Sequence, residues 1–169
     1  MLINEETAAT ADSLSNFTLY IFPFSLYSIM ARFTYALGRK SPEHQDLPMQ
    51  VKLVNLHRGE NFSPGYLLEV NPKGQVPALT GERLAKPLTS SLGISYWLCR
   101  QYPHLLPQEY EAHIASLLSK IHSIQSLSLS VPDKRDRIYG VPNVAAEKLS
   151  TASDVTEDYR KALQFKADL

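Results

Sequence analysis

Residues 71–79 read NPKGQVPAL, and the rest of the chain can be ordered outward from them. Pro77 donates no ladder hydrogen bond, so the apolar run 76–79 predicts only a brief strand. The Thr80-Gly81 turn leads into residues 83–86, and the pair reads as a hairpin. A Val-Pro step packed against a neighbouring strand favours a cis peptide, which would turn the N–H and C=O of Val76 outward. An extended peptide can pair there. The alternative is that Pro77 simply ends a strand.

Upstream, residues 64–70 predict a short helix, and residues 51–56 (VKLVNL) a short apolar strand. Residues 17–22 (FTLYIF) are aromatic and β-favouring, and Pro23 stops them, so they predict the first strand. From Ser25 the period changes: Ile29, Met30, Phe33 and Leu37 share one helical face and Gly38 supplies a stop. Downstream, residues 90–101 predict a helix with Leu92, Ile94, Tyr96, Leu98 and Cys99 mostly buried, ended by Pro103. The order is βαβαββα over residues 16–103, with a parallel crossover between the first two strands. Residues 104–110 read as a linker. In residues 111–169, Ile114, Leu117, Leu118, Ile121 and Ile124 repeat at helical spacing over 111–129. Asp154 with Glu157 predicts a capping pair for a last helix that turns Tyr159, Leu163 and Phe165 inward. Residues 1–15, acidic and without a basic-then-apolar pattern, read as a disordered lead and not as a signal peptide.

Seventeen Lys and Arg balance seventeen Asp and Glu, so no global field draws the chain to nucleic acid or to an anionic membrane surface. The uncharged stretch 13–31 is too polar and interrupted to span a bilayer. The one cysteine, Cys99, excludes an internal disulfide and suits a reducing, cytoplasmic setting. On an apolar helix face it reads as a small core residue. The five histidines show no metal-ligand spacing, and no metal is expected.

Three segments in register, LYIFPFSLYSIMAR (19–32), NPKGQVPAL (71–79) and LTSSLGI (88–94), resemble the strand-to-helix turn, the NPxGxVPAL loop and the LTESxAI helix start of glutathione transferases. Residues 121–131, 137–143 and 154–163 resemble fungal members in particular. The resemblance implies a thioredoxin-like domain followed by an all-α domain, here shortened, with glutathione as substrate or cofactor. It implies that Val76 and Pro77 hold the cysteinyl part of glutathione and that Gln75 contacts it. Ser91 matches the residue that takes the γ-glutamyl carboxylate at a helix start, where free N–H groups and the dipole favour an anion. Ser90 stands where the family usually has an acidic residue. The alternative for Ser91 is a plain helix cap, for which serine is a preferred residue. Asn61 and Phe62 fall where several classes hold the glycyl carboxylate with a basic or polar pair; His57 or Arg58 is the substitute, and either of those two is otherwise a solvated loop residue.

Ser25 matches the catalytic position of the Ser and Cys classes, at the start of the first helix. A hydroxyl hydrogen bond and the helix dipole there would raise the thiolate fraction of a thiol whose ordinary pKa is about 8.5. Ser28 is the second candidate, and a plain cap is the alternative for Ser25. Fold position places an apolar electrophile near Phe24, Tyr27, Tyr110, His113 and Leu117. The resemblance implies thiol conjugation, which in a fungal member would suit secondary-metabolite chemistry. Two alternatives are a glutathione-dependent isomerisation of a conjugated alkene and a non-catalytic interaction module. The shortened helical half predicts a homodimer through the helices that start at Ser90 and Glu111, with a wide acceptor site.

Overall fold

The computed structural model describes residues 17–40, 47–123, 142–153 and 155–169. Strand β1 (Phe17–Ile21) lies between two neighbours, β2 (Met49–Leu53) and β3 (Ala78–Gly81). β1 runs parallel to β2, from Phe17 opposite Met49 to Ile21 opposite Leu53, and antiparallel to β3, with Leu19 opposite Leu79. β2 starts two residues before the expected run, and its exposed Val51 and Leu53 mark an edge strand.

The second arm of the expected hairpin, residues 83–86, is not a strand. Leu84 N–H closes a turn on Gly81 O at 3.0 Å, and Leu88 alone re-pairs with Leu79 through bonds of 2.8 and 2.9 Å. The turn closed at Gly81 ends β3 and carries the chain away from it, so no ladder forms before Leu88.

Helix α1 (Leu26–Gly38) and helix α2 (Ser91–Gln101) cover one face of the sheet, where Phe17, Leu19 and Ile21 meet Ala31, Leu79, Ile94, Leu98 and Tyr102. The inward face of α1 is the reverse of the expected one. Ser28, Ala31 and Gly38 are buried, while Phe33 is 62% exposed and Ile29 and Leu37 also face outward. Close approach of α1 to α2 decides this: a Cβ on Gly38 would collide with the Tyr102 ring. Thr34 Oγ1 and Ser95 Oγ meet across the helix pair at 3.3 Å. Small residues therefore take the packed side, and the hydrophobic period loses to the tertiary contact.

On the other sheet face Tyr66, Val70, Val54 and Ala78 form a second cluster, in which a π-helical turn (Tyr66–Val70) replaces the expected helix 64–70. Helix α3 (Glu111–Ser123) covers part of the helix expected over 111–129; its Ile114 and Leu118 are half-buried, but Leu117 and Ile121 are exposed. Ile124 lies outside the described residues. Helix α4 (Val144–Thr151) has no counterpart in the sequence pattern. It packs with α5 (Glu157–Ala167), and both bury Ala145 and Leu163 against Leu67 of the first domain. Thr156, not Asp154, is the N-cap of α5, accepting from Tyr159 N–H at 3.3 Å; Asp154 lies outside the described residues. Leu163 points inward and Tyr159 is half-buried, but Phe165 is exposed.

Candidate functional site

The polypeptide between Asn71 and Val76 is shaped by its own side chains before any ligand arrives. Asn71 is fully buried, and its Oδ1 accepts from Lys73 N–H at 3.0 Å, which starts the turn. Gly74 completes it at φ 56°, a left-handed conformation that favours glycine. Two donors then converge on the Gln75 carbonyl: Tyr66 Oη–H at 2.7 Å and Asn71 Nδ2–H at 2.8 Å. Asn61 Nδ2–H donates to the Gly74 carbonyl at 2.8 Å. Burial, with Tyr20 close by, pushes the Tyr66 phenol well above its ordinary value, so it stays a neutral donor. The Val76–Pro77 peptide that follows is cis.

Two helix starts face this loop. Ser25 is the N-cap of α1, its Oγ accepting from Ser28 N–H at 3.3 Å. A serine hydroxyl has a proton to donate as well as lone pairs to accept with, so capping leaves Ser25 O–H available to a ligand. Ser90 is the N-cap of α2, its Oγ accepting from Gly93 N–H at 3.3 Å, while Ile94 N–H bonds Ser90 O at 2.8 Å. Of the first-turn amides, those of Ser91 and Leu92 are left for an anion.

Ser25, Tyr27, Leu56, Lys73, Gly74, Gln75, Val76, Pro77, Thr89, Ser90 and Ser91 line one cavity of about 500 Å³. Among the described residues that lining holds one cation, Lys73, and no carboxylate. Seven of the residues singled out in the sequence meet there: Ser25, Tyr27, Gln75, Val76, Pro77, Ser90 and Ser91. The others do not line it. Ser28 is fully buried and its Oγ accepts from Phe22 N–H at 3.2 Å, tying the end of β1 to α1. Asn61 is buried behind the loop as a brace. Phe24 projects from the turn before Ser25, 84% exposed, with Phe22 edge-on at 5.6 Å. Tyr110, His113 and Leu117 are exposed on the chain around α3.

Tyr66 and Asn71 escaped the sequence reading. The signal for Asn71 is the Asn-Pro that opens the quoted loop; for Tyr66 there is none, since its partner is a backbone carbonyl nine residues away. Half-buried Cys99 lies outside the cavity, and burial pushes its thiol up. Among the described residues no group of His, Cys, Asp or Glu could hold a metal, and no helix is long and apolar enough to cross a membrane.

The family model of the glutathione S-transferase N-terminal domain matches residues 19–109, more than half of the chain. Among curated proteins there is no match. A glutathione transferase homolog from Sulfitobacter with bound glutathione is 22% identical at a TM-score of 0.56, covering 90% of this chain and 65% of that one. A second, from Drosophila mojavensis and also with bound glutathione, is 19% identical at 0.57, covering 89% and 62%. Human glutathione S-transferase T1-1 in its apo form is 20% identical at 0.53, covering 90% and 58%. At these identities the likeness is one of fold, and this chain spans less than two thirds of each relative's length.

Proposed function

The chain belongs to the glutathione S-transferase family through its N-terminal domain, and from that premise we propose that it binds glutathione in the 500 Å³ cavity and activates the thiol for attack on an apolar electrophile. The observation that carries the reading is the meeting of two capped helix starts and the cis Val76–Pro77 loop around one cavity. The cysteinyl backbone pairs with Val76. The γ-glutamyl carboxylate takes the amides of Ser91 and Leu92 at the positive end of α2. That places the thiol toward Ser25, whose O–H donates to sulfur and stabilises the thiolate more than the thiol. The thiol proton is released to solvent, the thiolate forms a bond to an electrophilic carbon, and the leaving group departs with its electron pair. Tyr27 and the exposed Phe24 offer the acceptor an aromatic border.

Calorimetry with glutathione at millimolar concentration tests the reading; no heat and no thermal stabilisation would end it. One observation favours a second reading, the non-catalytic module: the cavity lining has no carboxylate for the ligand's ammonium, because Ser90 occupies the place of an acid. Binding without turnover on a panel of electrophiles supports that module. Product analysis separates conjugation from alkene isomerisation, since a conjugate carries the glutathionyl group and an isomer keeps the mass of its substrate. The fungal-type assignment, a role in secondary metabolism, a cytoplasmic setting and a homodimer complete the proposal. Light scattering at micromolar concentration tests the dimer.

A further inference from the structure

A second cavity, of about 320 Å³, opens on the sheet face away from α1 and α2, and it shares no lining residue with the first. Its floor is apolar. Val54, Tyr66 and Val70 are buried there, and the half-buried Tyr20 meets the Tyr66 ring edge to face at 5.8 Å. Its rim is charged, with Lys52, Glu60 and Glu69 all exposed. Tyr66, Glu69 and Val70 reach it from the π-helical turn. Such turns are rare in proteins and concentrated at functional sites.

Among the described residues neither rim carboxylate has a cation within ion-pair distance. Glu60 Oε2 accepts from Asn55 N–H at 2.7 Å, which leaves its other oxygen to a ligand. The Tyr20 ring already faces an ammonium, since Lys52 Nζ lies 5.5 Å from its centroid. Lys52 is a long exposed side chain that can keep its head in water. Its ammonium therefore marks a place where a cation is held, and competes for it. The two cavities sort ligands by sign: the first has one lysine, two helix starts and no carboxylate, and the second sets two carboxylates against one lysine above aromatic rings.

We propose that the second cavity binds a small organic ammonium with an aromatic body, the body packing on Val54, Tyr66 and Val70 and the ammonium replacing that of Lys52 over Tyr20, with Glu60 and Glu69 as its counter-charge. The assignment does not rest on the glutathione reading. Tyr66 stands between the two sites, its ring in this lining and its O–H on the carbonyl of Gln75 in the other.

The test is NMR titration of the nitrogen-15-labelled full chain with 2-phenylethylammonium, with the uncharged 2-phenylethanol and with 3-phenylpropionate. The ammonium at millimolar concentration should shift the amides of residues 52–54 and 66–70. It should bind about tenfold more tightly than the alcohol, the combined range of one exposed cation–π contact and two exposed ion pairs. The carboxylate should bind most weakly. Glu60→Gln and Glu69→Gln should each weaken the ammonium about two- to fivefold and leave the alcohol unchanged, and Lys52→Gln should tighten the ammonium by a similar factor. All three positions are exposed, and Gln at 60 keeps an acceptor for Asn55 N–H, so the variants should melt with the wild type. Equal wild-type affinity for ammonium and alcohol overturns the assignment without any variant. So do shifts centred on residues 73–77 and 89–91, which would place the ligand in the first cavity, and so does a weaker ammonium complex in Lys52→Gln. No shift with any of the three probes rejects a ligand site here.

Discussion

Two walls of the cavity are built differently. The loop at Gly74 and Gln75 is held by three neutral side-chain donors at 2.7 to 2.8 Å, from Asn61, Tyr66 and Asn71. The turn into α1, which carries Ser25, is held by hydroxyl contacts of 3.2 and 3.3 Å from Ser28 and Ser25. Short bonds to buried carbonyls fix a backbone; longer bonds to rotatable hydroxyls leave a side chain adjustable. The loop is suited to recognising a peptide backbone that never changes, and the α1 start to following a sulfur whose charge and bonding change during reaction. Binding and chemistry should therefore separate by wall.

The largest expected effect comes from Asn71→Ala. It deletes the bond to Gln75 O and the acceptor for Lys73 N–H in a fully buried place, so urea unfolding should show a loss of about 2–4 kcal/mol. Glutathione affinity should fall with it. If affinity holds while stability falls, the braced loop is not the recognising wall.

Ser25→Ala tests the opposite wall. Turnover should fall roughly 10–100-fold because a hydrogen bond that strengthens toward thiolate is lost, with glutathione affinity nearly unchanged. Loss of the cap should cost about 1 kcal/mol of stability. Ser28→Ala should lower stability and leave turnover of the folded enzyme close to wild type. Reversed roles for the two serines would break the division between the walls.

Tyr66→Phe sharpens the comparison, since Asn71 still holds Gln75 O. The cost should be about 1–2 kcal/mol. The raised phenol pKa adds a pH signature: in the fold Tyr66 resists losing its proton, whereas in the unfolded chain it ionises near its ordinary value of about 10. Its contribution is thus fully present below about pH 10 and is lost as pH rises beyond that. Chemical unfolding between pH 8 and 11 should show a shallower alkaline decline in Tyr66→Phe than in the wild type.

What could be read in the sequence follows the same division. The cis step at Val76–Pro77 and the helix starts at Ser25 and at Ser90 and Ser91 were legible because they are local: a proline's geometry, or serines at the opening of a helix. The face of α1 was not, because Ile29, Phe33 and Leu37 make the stronger amphipathic stripe and only the meeting of Gly38 with Tyr102 turns it outward. Tyr66 was hidden for the same reason, its acceptor being a carbonyl that only the folded loop presents. The missing fourth strand came down to the turn from Gly81 to Leu84, after which only Leu88 meets Leu79 again. Tyr110, His113 and Leu117 were chosen by fold position alone, and the structure leaves them off the cavity lining.

The smallest expected effect concerns the α2 end, where the two kinds of wall meet. Ser90→Asp keeps a side-chain acceptor for Gly93 N–H, and Asp is as good an N-cap as Ser, so stability should change by no more than about 0.5 kcal/mol. The new carboxylate joins a lining that has none and stands next to Ser91, where the γ-glutamyl group is proposed to bind. That group carries an ammonium on the same carbon as its carboxylate. The amides of Ser91 and Leu92 can take the ligand's carboxylate while the introduced side chain takes its ammonium, an exposed pairing of about 0.2–1 kcal/mol. Glutathione affinity should rise by roughly two- to fivefold at low salt, and the gain should shrink as salt screens it. Glutathione acylated on its amino group should gain nothing. A weaker complex for both ligands would mean that the added charge repels the carboxylate more than it holds the ammonium, and that the γ-glutamyl group enters the cavity in another orientation.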